Sequence, residues 1–208
     1  MIFFHGAKTR IDGKVDSSRS RINNDFGKGF YCCESLEQSA MFVSNFPDSS
    51  LYVVDFNKEG LKSKSFGVNR EWMMTIAYYR GRLDEYKDSK KIAGLISRSN
   101  NVDYITAPIA DNRMFEIIDS FIEGEITDVQ CQHCLSATNL GRQYVLVSQK
   151  AADHVNILEH CFLAEEEKDF YLTSRQKSAE MNRDKVKIAR KQYRDQGKYI
   201  EEILNEKR

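Results

Sequence analysis

Net charge is what this sequence most plainly lacks: its 31 Lys and Arg are matched by 31 Asp and Glu. The composition therefore gives no support for attraction of the whole chain to nucleic acid or to an anionic membrane. Long apolar runs are missing too. None approaches the ~20 residues that a bilayer-spanning helix needs, so no membrane partner is expected. The opening Met-Ile-Phe-Phe-His-Gly has no basic stretch leading into an apolar one, which is not the pattern of a secretory signal. The five cysteines are an odd number and form no evident disulfide framework. Together these absences lead to the expectation of a reduced, cytoplasmic protein. Internal repeats and low-complexity tracts are also absent. What is present is apolar material, 41% of 208 residues, enough to bury a core without disulfides or metals.

The pattern along the chain predicts an α+β domain over about residues 1–170, with a charged helical extension over 171–208. Residues 2–5 read as a strand running into Gly6. The polar stretch 7–25 reads as loop. Two glycines around Lys28 allow a tight bend before a strand at Phe30–Cys33, where Cys32 and Cys33 alternate across the strand. Leu36, Ala40 and Val43 have helical spacing within Glu34–Phe46, with Ser35 as N-cap, Gln38 at the capping-box position and Pro47 as the stop. Leu51–Phe56 is a second apolar strand. A helical insert is expected at about 70–135: residues 70–98 carry one helical pattern, from Trp72 and Ile76 to Ile92 and Ile96, which Asn100-Asn101 breaks before a short strand at Tyr104–Ala107. In its second half Asp111 or Asn112 caps a helix that ends at Gly124, and a shorter helix follows at about 127–136. Gln143–Ser148 reads as a strand buried on both faces, and Ile157–Ala164 as the last strand. From Arg175 the pattern is helical and charged.

Three pieces carry chemistry-bearing residues. They are Phe4-His5-Gly6 at the end of the first strand, Phe26-Gly27-Lys28-Gly29-Phe30-Tyr31 followed by Ser39-Ala40-Met41-Phe42, and Arg142-Gln143-Tyr144-Val145-Leu146-Val147 at the start of a late strand. In order and spacing they resemble the His-Tyr-Glu group of ADP-ribosyltransferases, on the diphtheria-toxin and poly(ADP-ribose) polymerase side of that superfamily. Gln143 stands where the glutamate is usual. Pro108-Ile109-Ala110-Asp111-Asn112-Arg113 resembles a bacterial family of uncharacterised domains in the same superfamily. The resemblance covers residues 4–42 and 142–147. It implies a split-sheet α+β fold with NAD⁺ as substrate in a cleft between two small sheets.

Each implied role suits the residue type. His5 would bond a ribose hydroxyl, since imidazole can accept at one nitrogen and donate at the other. Gly6 would bring its backbone to the nicotinamide carboxamide, and Ser39 its hydroxyl. Tyr31 and Phe42 would stack on the cationic nicotinamide ring. Breaking the nicotinamide–ribose bond passes through an oxocarbenium-like state, as in glycoside cleavage. A carboxylate beside the ribose normally opposes the growing charge. Gln143 keeps the hydrogen bond but not the charge, a loss worth about 10²–10³ in rate. Either the acceptor is a good nucleophile, or another carboxylate compensates (Asp111 and Glu116 are the candidates), or turnover is slow, or the site only binds.

Taken singly, each of these residues has a plainer use: His5 in the core, Gly27-Lys28-Gly29 as a turn, Asp111 and Asn112 as caps. Their joint order and spacing favour the functional reading. Cys131-Gln132-His133-Cys134 has a zinc-like spacing but no second clear pair, and no metal is expected. Residues 175–198 hold nine Lys or Arg and three Asp or Glu, which reads first as a solvated helix packed by one thin stripe. Contact with RNA phosphates or a handle for a partner protein are the sharper uses. The function implied by the resemblance is NAD⁺-dependent mono-ADP-ribosyl transfer to a macromolecule, either protein or nucleic acid. Bacterial proteins of this kind often act as toxins, sometimes paired with an antitoxin or deployed against phage, so the resemblance also implies a toxin role with an antitoxin or other regulatory protein as partner. The rival readings are a non-catalytic NAD⁺ or ADP-ribose binding module, an NAD⁺ hydrolase, and an RNA 2′-phosphotransferase, which the Tyr31 and Gln143 pattern fits poorly.

Overall fold

Apolar side chains two apart along a strand point to the same face, and here both faces of the central strands are covered. A computed structural model of the chain describes residues 1–86, 88–97, 101–110, 112–137 and 141–206. Among these, seven strands form one mixed sheet: β1 (Ile2–Ala7), β2 (Phe30–Cys33), β3 (Ser50–Phe56), β4 (Ser63–Ser65), β5 (Tyr104–Pro108), β6 (Arg142–Leu146) and β7 (Val155–Phe162), in the order β4-β5-β6-β2-β1-β3-β7. Only β4 and β5 run parallel; the other pairs are antiparallel. With helices on its faces, the protein has the expected α+β fold.

Neighbouring residues of one strand separate into different cores. Ile105 and Val145 join Trp72, Ile76, Met114, Ile118 and Phe121 on one face. Their neighbours Tyr104 and Leu146 join Phe3, Phe30, Tyr52, Val54 and Phe56 on the other. This explains the continuously apolar run of β6. The first core is roofed by α2 (Arg70–Tyr79), α3 (Lys90–Ser97), α4 (Asn112–Ile122), α5 (Asp128–Ser136) and α8 (Ile200–Asn205). The stretch 70–135 is thus mainly helical, but it also supplies β5, which lies inside the sheet between β4 and β6. Its expected long helix is broken into α2, a 3₁₀ turn at Asp84–Tyr86 and α3. The break falls at Gly81, where the backbone is left-handed.

The cap expected at Ser35 is in place. Ser35 Oγ accepts from Gln38 N at the start of α1 (Leu36–Val43), and Thr127 with Gln130 forms a capping box on α5. Asp111 lies outside the described residues. Strand β4 and the one-turn helix α6 (Gln149–Ala152) were not expected from the sequence; each is too short to carry a period. Helix α7 (Glu165–Gln192) starts ten residues before Arg175. Its first turns dock on α1: buried Lys168 donates to the Pro47 carbonyl at 2.6 Å, and Tyr171 packs on the Ala40, Val43, Leu51 and Leu163 cluster.

Residues 8–29 form no helix or strand, as expected, yet they are pinned. Ile11 N donates to Tyr52 Oη at 2.6 Å, Gln149 Nε2 to Val15 O at 2.9 Å, and Gly29 N to Ser20 Oγ at 2.9 Å. Val15 is buried in the second core. This arm therefore covers part of the sheet.

Candidate functional site

A ladder that stops early makes an opening. Strands β1 and β3 are registered along their whole length, from Ile2↔Asp55 to Ala7↔Ser50, whereas β1 and β2 share the single pair Phe4↔Cys33. Beyond it the two strands part. The imidazole of His5 spans the gap, with Nδ1 2.6 Å from the Tyr31 carbonyl oxygen. A carbonyl only accepts, so Nδ1 carries the proton. Burial pushes this imidazole down from its ordinary 6.5 to about 4, so near neutral pH the ring is uncharged and Nε2 is left as a hydrogen-bond acceptor. The ring is held by stacking on Phe30, with centroids 4.1 Å apart.

On β2, Tyr31 closes the turn that precedes its own strand. Its hydroxyl donates to Gly27 O at 2.7 Å and accepts from Phe26 N at 3.1 Å. Gly27 has φ +72°, a left-handed conformation that glycine takes without strain. The hydroxyl, mostly buried and near Asp25, is held well above the ordinary phenol range, so it remains a donor.

Pinning Phe26 also fixes Asp25. Only 4% of Asp25 is exposed, and both its carboxylate oxygens are bonded. Oδ1 accepts from Arg80 Nε at 3.0 Å and Arg80 Nη2 at 2.6 Å, while Oδ2 accepts from Gln143 Nε2 at 2.8 Å. Arg80 in turn lies over the Phe115 ring. Gln143, 7% exposed at the start of β6, gives its other amide proton to Pro108 O at 3.0 Å. Both partners are acceptors, so the network itself fixes which end of the amide is nitrogen. Gln143 Oε1 has no hydrogen-bond partner among the described residues and remains as an acceptor on the wall of a cavity.

That cavity has a volume of about 650 Å³. It brings together His5, Gly6, Tyr31, Ser39, Phe42 and Gln143, the six residues to which the resemblance gives a role. Ser39 Oγ lies 3.0 Å from Cys33 Sγ. The thiol gives its one hydrogen to Ser35 O, so the Ser39 hydroxyl donates to sulfur and keeps its lone pairs for a donor such as an amide. Burial holds the Cys33 thiol above its ordinary range, which keeps that hydrogen in place. Gly6 is glycine for a reason the sequence does not show: a Cβ there would stand 2.5 Å from the Ser39 carbonyl oxygen of α1. Phe42 is 41% exposed on the rim. The arm adds Lys8, Arg10, Lys14, Arg19 and Arg21 to the lining, and Arg175 comes from α7. Positive charge thus predominates around a cavity in a chain of zero net charge.

Glu116 is exposed on α4 and does not line the cavity; Asp111 lies outside the described residues. The lining holds two carboxylates among the described residues, Asp16 on the arm and the buried Asp25, which alone of the two bonds Gln143. The position of Asp25 beside Phe26-Gly27-Lys28-Gly29 was visible, but its tie to Gln143 spans 118 residues and leaves no local trace. Among the described residues no group of His, Cys, Asp or Glu is placed to hold a metal ion. Cys131 and Cys134 are both buried, facing the carbonyls of Ile117 and Val186. No helix among the described residues is long and apolar enough to cross a membrane.

A family model described as "Protein of unknown function (DUF3990)" matches residues 1–157, so the chain belongs to that family. The matched stretch contains every cavity residue named above except Arg175. No curated protein and no solved structure matches the chain.

Proposed function

We propose that this member of the DUF3990 family is an NAD⁺-dependent mono-ADP-ribosyltransferase acting on a macromolecule. One observation carries the reading: five residues from four elements of the chain, His5 on β1, Tyr31 on β2, Ser39 and Phe42 on α1 and Gln143 on β6, meet around one cavity, with the chemical state that each role needs. Neutral His5 offers Nε2 to a ribose hydroxyl. Tyr31 and Phe42 offer aromatic faces to a cationic ring. Ser39 offers an oxygen to a carboxamide. Gln143 offers its amide oxygen to a second ribose hydroxyl. The basic arm suits a diphosphate, which binds well to guanidinium and ammonium groups.

The reaction breaks the bond between the nicotinamide nitrogen and ribose C1′. The electron pair leaves with nicotinamide, which departs neutral, and positive charge builds on C1′ and the ring oxygen. The acceptor's lone pair then closes the new bond at C1′, and its proton goes to solvent. Water as acceptor makes the same site an NAD⁺ hydrolase. All five cysteines are free thiols, which supports a reducing, cytoplasmic setting.

The test is incubation of the purified protein with labelled NAD⁺ and cell lysate, following nicotinamide release and label in protein and in nucleic acid. Label in a macromolecule, lost in Tyr31→Ala and Gln143→Ala, supports transfer and identifies the acceptor class. Release without incorporation makes it a hydrolase. Thermal protection by NAD⁺ without cleavage makes it a binding module. No protection at all overturns the reading.

A further inference from the structure

We propose that Asp25 supplies the negative charge of this site, acting through Gln143, so that the two residues together replace a single carboxylate. This inference rests on the NAD⁺ reading above.

Three observations lead to it. First, Asp25 is a buried carboxylate on the wall of the cavity, where a purely structural ion pair has no need to be. Buried pairs are weak contributors to stability. Second, the negative end of the Asp25–Arg80 pair is the end that touches Gln143. Oδ2 takes the Gln143 amide proton at 2.8 Å, while the guanidinium bonds Oδ1. Third, the hydrogen bond runs in the direction that helps. Donation from Nε2 to a carboxylate draws electron density toward Oε1, because linked hydrogen bonds polarise one another. The amide oxygen facing the cavity is therefore a better acceptor than that of a glutamine in water. When the nicotinamide–C1′ bond breaks and its electron pair leaves with nicotinamide, Oε1 and the carboxylate behind it oppose the charge growing on the ribose. Asp25 works at one remove and is a positioning residue.

The arrangement inverts the usual expectation for position 143. A Gln143→Glu substitution restores the glutamate of the His-Tyr-Glu pattern, but here it sets a carboxylate against Asp25 Oδ2 and Pro108 O, both acceptors. Two carboxylates at this distance repel each other until the pair takes up a shared proton, which falling pH favours.

The experiment measures nicotinamide release and NAD⁺ affinity in the full chain for wild type, Asp25→Asn, Gln143→Glu and the exchange Asp25→Asn with Gln143→Glu. The expected results are a fall of about 10²-fold in release for Asp25→Asn with near-unchanged affinity. Gln143→Glu should be slower than wild type at pH 7 and recover as pH falls and the two carboxylates take up a shared proton. The exchanged protein should be faster than either single variant. A Gln143→Glu protein faster than wild type at pH 7, or unchanged release in Asp25→Asn, overturns the role of Asp25 and leaves the NAD⁺ reading standing. Should Asp25→Asn not fold, Gln143→Glu decides, since it keeps the Asp25–Arg80 pair. A wild type that neither binds nor cleaves NAD⁺ overturns both.

Discussion

The imidazole of His5 bonds the Tyr31 carbonyl at 2.6 Å where the backbone ladder between β1 and β2 has just ended. One side chain thus does the work of the missing backbone pairs and faces the cavity that their absence opens. The folded protein holds this ring neutral, down to about 4 from 6.5. Below pH 6.5 the unfolded chain takes up a proton that the folded chain refuses. Stability from this group is therefore complete above 6.5 and is lost as pH falls toward 4, by up to about 3 kcal/mol. Chemical denaturation at stepped pH should show this loss in wild type. A His5→Asn variant, whose amide can still donate to Tyr31 O, should lack it.

Gly6→Ala should cost about 1–3 kcal/mol of stability and pull α1 away from β1. The added carbon meets the Ser39 carbonyl at 2.5 Å and Val43 at 3.0 Å, and backbone cannot swing aside. Thermal unfolding reads the cost. Unchanged stability would mean that α1 shifts freely.

Tyr31→Phe keeps the ring and loses the two bonds that close the Phe26–Gly27 turn. The expected loss is about 1–3 kcal/mol, because a buried backbone N–H is left unsatisfied. NAD⁺ binding should weaken less than in Tyr31→Ala, since the stacking face remains. Equal loss in both variants, measured by calorimetry, would place the effect in the turn instead of the ring.

Arg80→Met leaves a carboxylate that is 4% exposed without its cation, at a cost of about 3 kcal/mol. Adding Asp25→Asn should return part of this, because the buried charge is gone. Full additivity of the two changes in a double-mutant cycle would contradict the coupling seen in the structure.

Lys168→Met breaks the bond from α7 to the Pro47 carbonyl. A loosened α7 carries Arg175 off the cavity wall, so NAD⁺ affinity should fall several-fold with little change in the sheet. Hydrogen exchange confined to α1 and α7 would report the movement.

Much of the fold was legible because its signals are local. Phe30–Cys33 was read with its observed bounds, and the caps at Ser35 and the stop at Gly124 follow from residue type alone. Elements without a period were invisible: β4 is three residues long and gains its place only by pairing with β5. The long helical reading of 70–98 failed at Gly81, since an apolar spacing continues across a break that only the backbone makes. The early start of α7 was hidden in Glu165–Asp169, whose charged run has no apolar stripe to read.

By itself the sequence determined which side chains this site has and in what order, because the spacing of His5, Tyr31, Ser39, Phe42 and Gln143 survives as a linear pattern. Tertiary structure decided their chemical state. Whether an imidazole is neutral, which end of an amide faces a cavity, and which carboxylate is within 2.8 Å of Gln143 depend on burial and on partners 26 to 118 residues away. Charge and hydrogen bonding act through space, and chain distance does not record them.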